Sequence, residues 1–175
     1  MTQVTLVYMT PDLEQFEGAQ DVEEFESLED LMRRAHVRDL QGLIEKAMLY
    51  YCYYLDGRDS GRVLCARPYD SPQGSYINDE ITGDYRQADI KNLDMELGTL
   101  DRIREAANLD SVDELLKRAL VVLEKVVCAR EFGYGIGLHD PQAQEIEWLF
   151  DNPEETAQPQ TQTKTLPGQP KYTLQ

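Results

Sequence analysis

The chain has 175 residues, 33 acids against 17 bases and a formal charge of −16, a length that holds one domain or one domain with an appendage, at ~100–200 residues each. With 41% apolar and 9% aromatic residues it can bury a core, which excludes wholesale disorder. Three cysteines exclude a disulfide scaffold, no apolar run reaches the ~18 residues of a membrane span, and the Met1–Thr5 start lacks the regions of a signal peptide, so the expectation is a soluble, cytoplasmic protein.

Residues 3–9 are β-branched and aromatic and lead to Pro11, the pattern of a strand. An acidic arm over 11–30 follows. Residues 1–32 hold nine acids and no base, so more than half of the net charge lies there. Two readings compete for it. One is a solvated segment entering a helix whose first turn takes carboxylates because they face the positive end of its dipole. The other is a docking surface for a basic protein partner, or a mimic of nucleic-acid phosphates. In that second reading the contact residues are Asp12, Glu14, Phe16, Glu17, Asp21, Glu23, Glu24, Phe25 and Glu26, with the aromatics interrupting the acids as a docking segment requires.

Ser27 followed by Asp30 has the form of a helix N-terminus, and Leu28, Leu31, Met32 and Ala35 share one helical face. A second set recurs at Leu40, Leu43, Ile44, Ala47, Met48, Tyr51 and Leu55; the step of five from Ala35 predicts a kink or two helices near Val37–Asp39. Tyr50–Tyr54 around Cys52 makes this helix apolar on both sides, hence central or set against another subunit. Asp56-Gly57 and Asp59-Ser60-Gly61 read as the turns that end it. Arg33, Arg34 and Arg38, with Arg58, Arg62 and Arg67, form a basic cluster that either contacts an anion or RNA or, more simply, pairs with the preceding acids. Arg62–Arg67 reads as a short strand. Residues 68–85, with Pro68, Pro72, Gly74 and Gly83, read as a loop or junction whose three tyrosines pack on something.

Leu93, Leu97, Leu100, Ile103 and Ala107 recur at helical steps, and Asn108 suits a left-handed terminator. Ser111-Val112-Asp113-Glu114 is a capping box, and the helix it opens buries Leu115, Leu116, Ala119, Leu120, Leu123, Val126 and Val127. Gly133–Leu138 reads as a strand or turn, with His139 capping the turn at Asp140-Pro141. A short apolar end follows at Ile146, Trp148, Leu149 and Phe150. Residues 151–175 turn to Pro, Gln and Thr and are expected to be a disordered, flexible tail.

The run Thr99–Leu120, TLDRIREAANLDSVDELLKRAL, resembles the ribbon-helix-helix superfamily of bacterial regulators, over about residues 86–131. The resemblance implies a homodimer with Leu115, Leu116, Ala119, Leu120 and Leu123 in its self-association core. It also implies a ribbon strand at Arg86–Leu93 whose Gln87, Lys91 and Asn92 contact DNA bases. Residues 86–131 carry only −2, without the basic surplus that phosphate neutralisation needs.

Catalysis has little to stand on in the sequence. His36 and His139 read as surface and turn residues, Cys52, Cys65 and Cys128 as small core residues, and there is no Cys-x-x-Cys to anchor zinc. The Gly133-x-Gly135-x-Gly137 spacing follows a helix, whereas a dinucleotide loop follows a strand. No catalytic, metal or cofactor residue is assigned. The expectation is therefore an α+β, predominantly helical fold: residues 1–67 with the N-terminal strand and helices, the 68–85 junction, an 86–150 ribbon-helix-helix-like helix pair with its following strand, and the 151–175 tail. Its function is expected to be that of a non-enzymatic regulatory or adaptor protein that self-associates and binds a basic partner through its acidic surface. A ribbon-type DNA-binding transcriptional regulator is the alternative, and an unrecognised enzyme the third.

Overall fold

A computed structural model describes residues 1–12, 25–71 and 74–149. Ten elements follow in chain order: β1 (Thr2–Pro11), α1 (Leu28–Arg34), α2 (Leu40–Ser60), β2 (Val63–Arg67), β3 (Ser75–Tyr76), β4 (Tyr85–Met95), α3 (Gly98–Ala107), α4 (Val112–Glu131), β5 (Gly135–Asp140) and β6 (Glu145–Trp148). The fold is mixed α+β, with 43% of the described residues in helix and 28% in strand; the strands form two small sheets, and helix leads without the expected predominance. The 151–175 tail lies outside the described residues. No helix among them is long and apolar enough to cross a membrane.

The chain divides into two compact units. Among the described residues, the first comprises Met1–Tyr51 and Asp79–Glu124, and the second comprises Cys52–Asn78 and residues 125–149. In the first, β1 and β4 form an antiparallel two-stranded ribbon running from Thr2↔Met95 to Pro11↔Tyr85. Alternation in β1 buries Val4, Leu6, Tyr8 and Thr10. β4 is the more exposed strand, with Ile90 50% exposed, and the register shifts between Tyr8 and Met9, which leaves Ala88 without a partner.

The helices of this unit start and stop where side chains satisfy their ends. Ser27 Oγ accepts from the Asp30 N–H at 3.1 Å, and Asp89 of β4 accepts from the Leu28 N–H at 2.8 Å, tying α1 to the ribbon. The break expected near Val37–Asp39 is real: α1 ends at Arg34, and His36 takes φ 59° before α2 begins. Asn108 caps α3 in the left-handed region (φ 58°, ψ 44°). Ser111 Oγ then accepts from Glu114 N–H, and Asp113 accepts from Thr5 N–H at 3.0 Å, joining the start of α4 to β1.

Two local readings are corrected. Leu93 and Leu97 do not extend α3, because residues up to Met95 are paired with β1 and the helix begins only at Gly98. Asp56-Gly57 does not end α2, which continues to Ser60 and stops at Gly61 (φ 76°). Gly57 serves proximity instead, since a Cβ there would lie 2.9 Å from Leu138 Cδ2 and 3.1 Å from the Arg62 carbonyl oxygen.

The second unit is built on an antiparallel sheet in the order β3-β2-β5-β6. Leu64, Ala66, Ile136 and Leu138 are buried. Gly135 and Gly137 lie beneath Trp148 and Ile146, where a Cβ would come within 2.6 and 2.7 Å of those side chains. Two glycines of the Gly-x-Gly-x-Gly spacing are thus strand packing, while Gly133 (φ 80°) makes the turn between α4 and β5. Asp140, not His139, caps the following turn: its Oδ1 accepts from the N–H groups of Gln142 and Ala143, while His139 belongs to β5.

Candidate functional site

The acidic character of the first unit does not end with the arm. Between Asp94 and Glu114 the sequence holds seven acids and two bases. Asp94, Glu96, Glu105, Asp110 and Asp113 are exposed there. Asp94 and Asp113 are brought near one another at the ribbon, because Asp113 binds the Thr5 N–H, Thr5 pairs with Asn92, and Gln3 pairs with Asp94. Of the two bases, Arg104 is held by Asp101 at 2.7 Å and the Leu109 carbonyl oxygen at 2.9 Å. Arg102 is the exposed one. Such a surface can attract a cationic partner and repels phosphates.

The residues named for docking in the arm fare differently. Glu14, Phe16, Glu17, Asp21, Glu23 and Glu24 lie outside the described residues. Asp12 is half-buried and its N–H donates to the Asp84 carbonyl oxygen, while Glu26 is exposed. Phe25 is corrected: it is 3% exposed and lies under the Arg34 guanidinium, 3.6 Å from the ring centroid, so it packs the fold instead of meeting a partner. Arg33 and Arg34 both pair with Asp30, at 2.5 and 3.6 Å, as the simpler reading of the basic cluster expects.

The residues assigned to self-association are buried within the single chain: Leu115, Leu116, Ala119, Leu120 and Leu123 are all at most 1% exposed. An interface built on them requires the fold to open. Tyr50, Tyr51 and Cys52 of α2 are likewise buried within the chain. Gln87, Lys91 and Asn92 are exposed on β4, and Asn92 accepts from the Thr5 hydroxyl at 3.1 Å. Asp89 is engaged with the start of α1.

A buried polar cluster is the feature the sequence reading missed. Glu124 of α4 is 2% exposed, and Tyr8 of β1 donates its hydroxyl to Glu124 Oε2 at 2.5 Å. Burial raises the Tyr8 hydroxyl far above its ordinary pKa, the Glu124 charge and hydrogen bond add to the rise, and Arg34 works against it. Burial, with the Glu124 charge second, also pushes Tyr85 up to about 12. The available signal was spacing: Glu124 stands four residues after Leu120 and three before Val127, on the apolar face of α4.

The candidate nucleophiles are quiet. Burial pushes the Cys52 thiol up to about 12, with Asp56 adding to it, and the Cys65 thiol up to about 11 against the pull of Arg67. Thiols held protonated are poor nucleophiles at neutral pH. His139 Nδ1 lies 3.3 Å from the exposed Tyr76 hydroxyl, and His36 is an exposed turn residue. Among the described residues no group of three His, Cys, Asp or Glu side chains is arranged to hold a metal ion. Comparison of the chain with known families, with curated proteins and with solved structures finds no match.

Proposed function

We propose that the protein is a non-enzymatic regulatory or adaptor protein that binds a basic protein partner through an acidic surface. The observation that carries this reading is the run of exposed carboxylates, Asp94, Glu96, Glu105, Asp110 and Asp113, between the end of β4 and the start of α4, in a chain whose N-terminal arm is itself strongly acidic. Charge of one sign on a rigid element steers association with a partner of the other sign and discriminates against wrong ones. The test compares the natural protein with a Glu96→Gln, Glu105→Gln, Asp110→Asn variant in cross-linked affinity capture from its own cells. A basic protein cross-linked within residues 94–113 or the arm, and lost from the variant, is the expected result. Equal capture by both proteins overturns the reading.

A second reading has one observation in its favour. Gln87, Lys91 and Asn92 stand exposed on a two-stranded ribbon, the kind of element that reads bases in the major groove of DNA. As a ribbon-type regulator the protein acts as a homodimer. Retention on random-sequence DNA that falls steeply with added salt, and weakens in Lys91→Ala, is the result that selects this reading over the first.

A further inference from the structure

Arg67 and Trp148 of the second unit make an arrangement that the partner-binding reading leaves unused. Arg67 ends β2, and its guanidinium lies over the Trp148 indole, 5.4 Å from the ring centroid. Tyr69 meets the same indole with centroids 4.7 Å apart. Gly135 lets the two rings close, because a Cβ there would come within 2.6 Å of Trp148 and 2.7 Å of Tyr69. Two donors of this stack, Arg67 Nε and Trp148 Nε1, are buried with no hydrogen-bond acceptor among the described residues. Stacking engages the face of a guanidinium and leaves its in-plane N–H groups free to donate, and an indole N–H can only donate.

The charge environment points the same way. Arg58 of this unit lies against Asp59, and Arg62 against Asp56 and Glu147, while Arg130 donates from its terminal nitrogen to the Leu149 carbonyl oxygen. Arg67 has no carboxylate within 4 Å among the described residues, in a chain where acids outnumber bases 33 to 17. Arg67 and Tyr69 are half-buried while Trp148 is 1% exposed, so the stack reaches the surface with its indole inside. Two orphaned donors on adjacent side chains, one of them cationic, call for acceptor oxygens carrying negative charge. We propose that the Arg67–Trp148–Tyr69 stack binds an oxyanion, the carboxylate or phosphate group of a small ligand, with Arg67 Nε and Trp148 Nε1 as donors.

Trp148 is the one tryptophan of the chain, so its fluorescence reports on the site. Inorganic phosphate and acetate are titrated separately into the full chain at constant ionic strength, with chloride as the control, and thermal unfolding is followed in parallel. A saturable change with either anion, absent with chloride, is expected, together with a rise in Tm; the anion that acts distinguishes phosphate from carboxylate. Arg67→Lys keeps the charge and removes Nε, and is expected to weaken binding about tenfold or more, as loss of one charge-assisted hydrogen bond implies. Trp148→Phe keeps an aromatic ring and removes the N–H, and its Tm rise is expected to shrink. No saturable change, or binding unaltered in both variants, overturns the proposal and leaves water as the acceptor.

Discussion

Tyr8→Phe removes the hydroxyl that donates to a carboxylate 2% exposed, and a hydrogen bond to a charged group contributes about 1.5–3 kcal/mol. Urea unfolding is expected to show a loss of that order. A loss under about 0.5 kcal/mol places the pair among replaceable contacts. The thiols give a pH dependence of definite sign. Cys65 and Cys52 have folded pKa values raised to about 11 and about 12 from 9.0, so above pH 9 the unfolded chain releases protons that the folded chain retains. Stability is whole below pH 9 and falls as pH rises through 11 and 12, by up to about 1.4 kcal/mol per pH unit for each thiol. Tyr8, raised by the same burial, adds to the fall above pH 10, its ordinary value. Urea midpoints measured from pH 7 to 11 check this, and Cys52→Ala should flatten the slope. Gly135→Ala sets a methyl against two rigid rings and is expected to lose about 1–3 kcal/mol. None of these costs is visible in composition, but Glu124 was legible in principle, as an acid in the middle of an apolar helical face.

At the scale of elements, the caps were the most readable part of the chain, because each is a local device. Ser27, Asn108 and Ser111 announce their roles within three residues, and all three perform them. Asn108→Gly is expected to hold or slightly raise stability, while Asn108→Ala loses about 1 kcal/mol, since a Cβ is penalised in the left-handed region and alanine lacks the short polar side chain that eases it. Chemical denaturation of the two variants side by side gives the comparison. The ribbon was half legible. Both strands could be read from their own residues, but their pairing joins segments some eighty positions apart through Leu6↔Lys91 and its neighbours, and no local pattern encodes a partner. Gly57 misled for the same reason: a glycine that suits a turn served instead the close approach of Leu138 and Arg62. The oxyanion site was illegible, since Arg67, Tyr69, Gly135 and Trp148 come from three stretches of chain.

For the whole molecule, the burial of the α4 leucines decides what a disruptive substitution does. Leu116 is 1% exposed, so Leu116→Asp forces a charge into a core already closed by the chain itself. The expected outcome is loss of the cooperative thermal transition, seen in near-UV circular dichroism, and not a well-folded protein of altered mass by light scattering. A folded variant of halved mass restores the subunit interface. The two units have a consequence of another kind. The chain leaves the first within α2, after Tyr51, returns after Asn78, and leaves again within α4, after Glu124. No single break separates the two units with both entire, and each long helix belongs to both. As a piece of inheritance the protein is therefore indivisible: recombination can carry it into a larger gene, but it cannot lend out one half and keep the other.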